Sequence, residues 1–523
     1  MRQGNMNGRI NPGRIRWQVA GVAAALTLVP VSAVSAASRP GAEQVIVQLQ
    51  PGVSPGAAEA QVSRSGGRVT GKLPIVNGFA ATVSAAEASS LRSAPGVRAV
   101  SVNARIKPQS ISASRLTSAY PVSVNANDVW SYSQNESTGR GVGVAVIDTG
   151  IAGGMPDFSV SGPSKASRVV ASVVTNPLAT TAGDAYGHGT HVAGIIAGNG
   201  NERPPSDPLK GRYIGVAPEA NLISVKVSDD AGQASVLDVI YGLQFVVDHK
   251  DDYNIKVVNL SLESSSVESA STDPLDAAVE SAWFDGITVV AAAGNRGSAG
   301  DAVSHAPGND PYVISVGAYD DQASMAVSDD SRASWSSRGV TQDGVAKPEI
   351  LAPGSGIVST LAPGSAFAAL CPTCIVGGEM IRAGGTSMAA PMVSGAAALL
   401  LQRMPNLKPD QVKGLLLRSA RTINGKFPAL DALAALKAGY AGQTSPVSLA
   451  GLQPNAIVDP STGTIDYTRS SWSRSSWSTA GSGLTADFAR SSWSCNCSVD
   501  DSGAVLGTRS SWSRSSWSTS WDK

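Results

Sequence analysis

Short runs that are apolar at nearly every position recur between residues 127 and 439. Residues 142–147 and 287–292 form the longest of these runs, and residues 222–225 and 256–260 form shorter ones. A strand that is apolar on both faces is typical of a parallel sheet covered by helices on each side. We therefore predict an α/β fold here, with its functional site at the carboxyl ends of the strands.

Residues 42–107 show a different pattern and predict a small, separate α+β unit. Three strand-like segments alternate with two helical ones in the order β-α-β-α-β: residues 44–49, 57–65, 78–83, 85–93 and 97–102. A Gly-Gly pair follows the first helical segment and a Pro-Gly pair follows the second, as expected of helix ends. About sixty residues are too few to build a robust enzyme core.

Residues 1–36 have the three parts of an export signal. Arg9, Arg14 and Arg16 form a positive region before the apolar run of residues 19–29, and Val-Ser-Ala at residues 34–36 fits a signal-peptidase site. A membrane anchor is the alternative, but Pro30 interrupts a run already shorter than the about 20 apolar residues of a span. We expect a secreted protein, extracellular or at the cell surface, with no membrane span after signal removal.

Residues 440–523 lose the strand-helix alternation and carry a repeat. The pentapeptide Arg-Ser-Ser-Trp-Ser begins at Arg469, Arg474, Arg490, Arg509 and Arg514. A period of five matches neither the period of two of a strand nor the 3.6 of a helix, so the repeat builds no one-sided core. It is either a low-complexity appendage or a strand pair packed on the preceding domain, and its Trp and Arg side chains could also bind glycans or protein substrates.

Composition argues against a nucleic-acid-binding function, and the spacing of the cysteines predicts disulfides. Forty Lys and Arg residues balance forty Asp and Glu residues, so no basic field exists to attract nucleic acid. The cysteines form two close pairs, Cys371/Cys374 and Cys495/Cys497. In an exported protein such pairs predict disulfides, with a four-cysteine zinc site as the alternative, and the sequence does not fix their connectivity.

Three segments carry residues suited to nucleophilic catalysis. Asp148 directly follows an apolar run, and a carboxylate at a buried strand end needs a hydrogen-bond partner such as an imidazole. His188, in Gly-His-Gly-Thr-His, is one of only four histidines. Ser387, in Gly-Thr-Ser-Met-Ala-Ala-Pro, opens an apolar stretch whose helical N–H groups would stabilise negative charge.

Each of these residues also has an ordinary structural interpretation. Asp148 and Ser387 could be helix caps, and His188 with His191 could bind a metal ion. The metal motif His-Glu-x-x-His is absent and no acidic residue separates the two histidines, which favours a packing role for His191. Ala389 takes the last place of Gly-x-Ser-x-Gly, so the α/β-hydrolase elbow is not matched.

Together, the segments resemble the signatures of subtilisin-like serine proteases, the subtilases. Asp148-Thr149-Gly150, residues 188–194 and residues 385–391 follow the order Asp, His, Ser that distinguishes subtilisin from other triad enzymes. A fourth match, residues 289–295, ends at Asn295. The resemblance implies a three-layer subtilisin-like catalytic domain over residues 127–439, acting on protein or peptide substrates and requiring no cofactor for its chemistry.

The resemblance also assigns roles. Ser387 is the nucleophile, His188 the general base and Asp148 the residue that orients it, while Asn295 contributes to the oxyanion hole. The substrate-binding residues that the resemblance implies are Ser261, Leu262, Ala292, Ala293 and Gly294. Glu263 stands where the family usually has glycine, and it either favours basic substrate side chains or faces water.

The resemblance further makes residues 42–107 an inhibitory propeptide, with residues 104–107 in the substrate groove, and the chain a self-processing proenzyme. Asp157 resembles a calcium ligand of some subtilases, but residues 198–212 match no such pattern, so a structural calcium ion is compatible with the sequence without assigned ligands. A non-catalytic binding protein that retains the fold, and a lipase or esterase with the same triad, are the alternatives.

Overall fold

The structure is a computed structural model. It describes residues 42–104, 119–132, 136–160, 166–200, 203–204, 206–324, 326–448, 452 and 454–455, and the backbone of residues 106–107, 494–496 and 509–511. The predicted export signal at residues 1–36 lies outside this range. Most of the C-terminal repeat does as well.

The N-terminal unit is a four-stranded antiparallel sheet with two helices. Its strands are β1 (Ala42–Leu49), β2 (Arg68–Leu73), β3 (Gly78–Ser84) and β4 (Val97–Val102), and its helices are α1 (Gly56–Arg64) and α2 (Ala85–Arg92). The strand order is β2-β3-β1-β4, and a 3-10 turn at Pro74–Val76 joins β2 to β3. The predicted pattern missed β2. One face of the sheet has its own core with the two helices, while Ile46, Leu73 and Ala80 belong to the core of the larger domain.

The larger domain is built on a mainly parallel sheet. The strands of this domain, of its small additional sheets and of the segment before it are β5 (Ile106–Lys107), β6 (Gly143–Asp148), β7 (Val169–Val174), β8 (Asn221–Lys226), β9 (Ile255–Leu260), β10 (Glu263–Ser264), β11 (Thr288–Ala292), β12 (Ile314–Asp320), β13 (Ser331–Arg332), β14 (Gly339–Val340), β15 (Ala346–Lys347), β16 (Ile350–Pro353), β17 (Ile357–Thr360), β18 (Ile375–Val376), β19 (Met380–Ala383), β20 (Arg421–Ile423) and β21 (Phe427–Ala429). The main sheet runs β7-β8-β6-β9-β11-β12-β16-β21-β20, and every pair from β7 to β16 is parallel.

Helices cover the sheet in two layers. They are α3 (Tyr120–Ser123), α4 (Ala126–Trp130), α5 (His188–Ala197), α6 (Val236–Asp248), α7 (Pro274–Phe284), α8 (Ala366–Leu370), α9 (Thr386–Arg403), α10 (Pro409–Arg418) and α11 (Ala432–Tyr440), with short 3-10 turns at Pro156–Phe158 and Pro372–Cys374. Helices α5 and α9 pack together in one layer, and α6 and α7 pack together in the other. The predicted three-layer α/β fold is confirmed.

The strand order places a crevice at the carboxyl end of β6. The chain fills positions on one side of β6 with β7 and β8 and then crosses to its other side with β9. In such sheets the strand order reverses at this point, and ligands bind there because the connecting loops leave in opposite directions. Asp148 is the last residue of β6, and Ser261 directly follows β9.

Two further features are a disulfide bond and a pair of short strands. Cys371 and Cys374 form a disulfide after α8, a connectivity that the sequence left open, whereas the side chains of Cys495 and Cys497 are not described. Backbone pairing joins β22 (Ser494–Asn496) to β23 (Arg509–Ser511) within the repeat region. Within the described residues, no helix has the length and apolar character needed to cross a membrane.

Candidate active site

Asp148 and His188 form a buried pair at the carboxyl end of β6. The Nδ1 atom of His188 lies 2.8 Å from Oδ1 and 3.0 Å from Oδ2 of Asp148, and both side chains are almost fully excluded from solvent. His188 is the first residue of α5, and Gly189 lets this helix approach the strand, since a Cβ there would overlap the carbonyl of Gly150. The helix start therefore delivers the imidazole to the strand end, as the sequence predicted.

A second carboxylate, Asp184, holds these two segments together. It accepts hydrogen bonds from the Thr149 hydroxyl (2.8 Å), from the Gly187 N–H (2.7 Å) and from the Thr190 N–H (2.7 Å). The last two donors belong to the start of α5, so Asp184 satisfies N–H groups that the helix itself leaves unbonded. Burial raises the pKa of Asp184, and the hydrogen bonds oppose this rise.

Ser387 is the second residue of α9, and a buried polar chain fixes it. The Ser261 hydroxyl donates to the Ser387 carbonyl (2.8 Å) and accepts from Asn259 Nδ2 (2.9 Å), whose Oδ1 accepts from the Ser394 hydroxyl (2.8 Å). The Ser387 hydroxyl donates to the Ser261 carbonyl at 3.2 Å. The serine side chain is thus held at the point where β9 ends.

Asn295 lies beside the same helix start. Its Oδ1 accepts the Thr386 N–H at 3.0 Å, and the Thr386 hydroxyl accepts the Gly294 N–H at 3.1 Å. These two bonds orient the Asn295 amide against the N-terminus of α9, where free helical N–H groups and the helix dipole favour negative charge. The structure therefore places the Asn295 side chain against Thr386, the residue directly before Ser387.

The predicted substrate-binding walls lie on either side of this point. Ser261 and Leu262 follow β9, and residues 292–294 follow or end β11, the neighbouring strand. Strand β10 begins directly after Leu262 and pairs antiparallel with β5 of the N-terminal segment, with Glu263 opposite Lys107. A chain segment thus lies where the resemblance places a bound peptide.

The expectation that Glu263 faces water is wrong. Its side chain is only 4% exposed, and its Oε1 accepts from Arg296 Nε at 3.1 Å. A carboxylate this deeply buried requires such a partner. Arg296 lies two residues after Gly294, so the second substrate-binding wall brings the partner that allows Glu263 to be buried.

His191 has the packing role that the sequence favoured. Its Nε2 atom lies 3.0 Å from the Ile381 carbonyl and 3.2 Å from the Ile357 carbonyl. Burial, together with the nearby His188, lowers the pKa of His191 to about 3, so the imidazole is neutral. The Phe367 ring packs edge-on against His188, with 5.9 Å between ring centroids, and its centroid lies 6.3 Å from that of His191.

Asp157 does not fit a calcium ligand in this chain. Arg203 donates from Nη2 to Asp157 Oδ2 (2.7 Å) and from Nε to Oδ1 (3.2 Å), and both side chains are fully buried. The bidentate guanidinium occupies both carboxylate oxygens and supplies the positive charge that a cation would supply. In the described part of the chain, no three His, Cys, Asp or Glu side chains are arranged to hold a metal ion.

Sequence reasoning missed Asp184, Asn259 and Phe367. Asp184 had a usable signal, because an Asp shortly before a glycine-led helix start is typical of a capping side chain. Asn259 had one as well, since it is the polar residue inside a buried apolar run and needs buried partners. No feature of the sequence indicates that Phe367, far along the chain, packs against His188.

Comparisons with known proteins agree with this geometry. The model of the Subtilase family matches residues 139–446. Serine protease AprX of Bacillus subtilis (strain 168) is 40% identical over 284 residues, which cover 53% of this chain and 61% of AprX. Subtilisin E of the same strain is 34% identical over 367 residues, which cover 70% of this chain and 81% of subtilisin E.

A solved structure is also similar. Fervidolysin from Fervidobacterium pennivorans, described as a keratinolytic enzyme related to subtilisin, superposes with a TM-score of 0.56 at 25% identity. The superposition covers 76% of this chain and 61% of fervidolysin, so this chain spans about three fifths of both AprX and fervidolysin. The chain belongs to the subtilase family, the family of the subtilisin-like serine proteases.

Proposed function

We propose that the protein is a secreted endopeptidase, made as a self-processing proenzyme, whose triad is Asp148, His188 and Ser387. The buried Asp148–His188 pair beside the start of α9 is the observation that carries this proposal. With its Nδ1–H donated to Asp148, the imidazole has Nε2 as its basic nitrogen. That nitrogen accepts the Ser387 proton as the hydroxyl attacks the peptide carbonyl, and later returns a proton to the leaving amine.

The charge that develops on the carbonyl oxygen is stabilised by the Ser387 N–H and by the Asn295 side-chain amide. Both groups are fixed before substrate arrives, because Thr386 holds the Asn295 amide and the helix holds the N–H. Preorganised donors of this kind avoid reorganisation during the reaction. The substrate backbone pairs with residues 261–264 as an added strand, and the pairing of β5 with β10 is a model for it.

The N-terminal unit acts as an inhibitor of its own enzyme. Its Asn103 side chain accepts the Leu237 N–H (3.1 Å) and the Ala104 carbonyl accepts the Val236 N–H (3.3 Å), so it caps the start of α6. The Ser101 hydroxyl donates to Glu268 at 2.7 Å. These contacts, together with apolar packing against α7, dock the unit so that β5 reaches the groove.

Neither the chemistry nor the fold at Asp157 needs a metal ion, because Arg203 provides the counter-charge there. EDTA is then not expected to lower the thermal unfolding temperature of the mature enzyme through loss of a calcium ion at Asp157. A fall in that temperature, reversed by Ca²⁺, would place a calcium site elsewhere in the chain.

The test of the proposed function is Ser387→Ala in the full chain. We expect a folded, secreted and unprocessed precursor that lacks casein hydrolysis and labelling by a serine-directed phosphonylating reagent. A loss of roughly 10⁶-fold in turnover is expected, a magnitude known for subtilisin itself and taken over from it. Ser328→Ala, at an exposed serine, is the matched control.

Other outcomes separate the alternatives. Wild-type labelling without casein hydrolysis, but with ester hydrolysis, would favour a lipase or esterase. No labelling and no hydrolysis would favour a non-catalytic binding protein. Retention of the wild-type protein inside the cell would contradict only the secretion part of the proposal.

A further inference from the structure

The Glu263 carboxylate lies between the two walls of the pocket that would receive the substrate residue before the scissile bond, the P1 residue. Glu263 itself follows the first wall, Ser261-Leu262. Its Oε2 atom lies against Gly294 of the second wall, so closely that a Cβ at Gly294 would overlap it. Gly294 also has a φ of +97°, a conformation that favours glycine. The glycine at this position therefore makes room for the carboxylate.

The carboxylate is part of a polar cluster beside Gly294. Arg296 donates to Oε1, and the buried Ser337 hydroxyl lies on the same side of Gly294 as Oε2. Ser337 is held in turn by the Arg296 backbone N–H, which donates to its oxygen at 2.9 Å. Arg296 is partly exposed, with 29% of its side chain accessible, whereas Glu263 is not. The anion is thus the deeper of the two charges.

A side chain that enters between the walls meets this anion. A large aromatic side chain would remove water from the Glu263–Arg296 pair without replacing its hydrogen bonds, which is unfavourable. A long basic side chain can donate charge-assisted hydrogen bonds to the carboxylate, and Arg296 is accessible enough to turn toward solvent. The pocket is therefore built for a cationic hydrogen-bond donor.

We propose that Glu263 is the specificity-determining residue of this protease and makes it cleave after Lys and Arg in preference to large aromatic residues. This inference rests on the proposed function, since it names the substrate class of the same site. Arg296 acts as an internal competitor of the substrate cation. The two residues therefore have opposite effects on the same preference.

The experiment uses mature enzyme processed from the full chain and a series of peptides that differ only in P1, namely Lys, Arg, Ala and Phe. For the wild type, kcat/KM is expected to be higher for Lys and Arg than for Phe. Glu263→Gln should lower the Lys-to-Ala ratio of kcat/KM by roughly ten- to a hundredfold, the range of one charged hydrogen bond. Arg296→Ala should raise the same ratio, because the carboxylate loses its internal counter-ion. Glu136→Gln, at an exposed glutamate, is the matched control and should leave the ratio unchanged.

Two results would overturn the inference. One is a wild-type preference for Phe over Lys, which needs no variant and so does not depend on whether Glu263→Gln folds. The other is a Lys-to-Ala ratio that stays constant, or moves in the same direction, in both variants. Cleavage of none of the four peptides by the wild type would instead overturn the proposed function, and this inference with it.

Discussion

At the scale of single residues, Asp184 connects the two halves of the catalytic pair without touching the reacting atoms. Asp184→Asn would place an amide N–H₂ group where an oxygen now accepts an N–H or O–H, so one donor would lose its acceptor. We expect kcat/KM to fall roughly ten- to a hundredfold, and the free energy of unfolding to fall by about 1–3 kcal/mol. Peptide kinetics and thermal unfolding measure the two effects, with Asp251→Asn as an exposed control. Unchanged kinetics would show that Asp184 only stabilises the fold.

The candidate site residues could be predicted where residue type, neighbours and order along the chain together indicate a chemistry. Asp148, His188 and Ser387 meet that condition, and the structure brings them to the same end of the sheet. Glu263 does not, because its burial depends on Arg296, which is 33 residues away in sequence. A sequence pattern reports the neighbours of a residue along the chain, whereas a buried charge is decided by its neighbours in space.

At the scale of elements, the register of β5 against β10 predicts the processing site. Lys107 lies opposite Glu263 in this pairing. The residue whose carbonyl contacts the Ser387 hydroxyl is Ser261, which comes two residues before Glu263 in the chain. Residues 108–118 are not described. If the antiparallel register continues for two more positions beyond Lys107, residue 109 is opposite Ser261. We expect cleavage between Gln109 and Ser110, which mass spectrometry of the secreted enzyme would show as an N-terminal serine. Because the tethered segment is held in the groove at a high effective concentration, this one bond can be cut without the basic P1 residue that favours the cleavage of free substrates.

A pair of proline substitutions sharpens this test. Ser110→Pro, directly after the expected scissile bond, should make uncleaved precursor accumulate, because proline removes a backbone N–H and fixes φ at the leaving group. Ser112→Pro, two residues further on, should process normally. Processing that is blocked by the second substitution and not by the first would refute the register.

The sequence predicted elements well where they are buried on both faces and less well at the surface. Strands β6, β8, β9 and β11 lie within one residue or so of the predicted runs. Strand β2 was missed because Arg-Val-Thr-Gly-Lys-Leu has charged and glycine positions, and its register shifts between Val69 and Gly71. The structure explains that glycine, since a Cβ at Gly71 would overlap the Tyr241 hydroxyl of α6. The irregularity belongs to the docking surface of the N-terminal unit, which its own sequence does not reveal.

At the scale of the whole molecule, buried acids on and around α7 make stability depend on pH. Burial, with the neighbouring Asp310 carboxyl, raises the pKa of Glu280 well above its usual range, and the two groups interact directly. The folded protein therefore keeps a proton that the unfolded chain releases above about pH 4.3. The stability linked to this proton is present at lower pH and is lost as the pH rises toward the folded pKa, by up to about 1.4 kcal/mol per pH unit.

Glu280→Gln should remove the part of this dependence that comes from Glu280, while the raised pKa values of Asp273 and Asp276 leave a remainder. The amide oxygen can still accept the Asn455 N–H that Glu280 now accepts at 2.7 Å, and the amide N–H₂ can donate to Asp310 in place of the shared proton. Measured on Ser387→Ala precursor to prevent autolysis, the unfolding temperature of the variant should exceed that of its parent increasingly from pH 5 to pH 9. A difference that does not change with pH would contradict the raised pKa.

Packing of the catalytic domain continues beyond residue 439, where the sequence placed its end. Helix α11 ends at Tyr440, whose hydroxyl accepts from Arg403 Nε at 2.9 Å. Further on, Asn455 is fully buried and donates from Nδ2 to the carbonyls of Ala270 (2.8 Å) and Asp273 (3.1 Å) at the start of α7. All copies of the Arg-Ser-Ser-Trp-Ser repeat come later in the chain. The two parts of residues 440–523 should therefore have separable roles.

Two truncations test this separation. A chain that ends after Pro460 keeps the Asn455 contacts and should retain small-peptide kcat/KM within about twofold and the full unfolding temperature, because buried hydrogen bonds of about 1 kcal/mol each are preserved. A chain that ends after Gly439 loses them and should unfold several degrees lower. Both lack the repeat, so both should lose any attachment to cells or insoluble substrate that the full chain has. Equal unfolding temperatures for the two truncations would show that residues 440–460 add nothing to the fold, and loss of small-peptide activity in the longer one would make the repeat itself part of the catalytic domain.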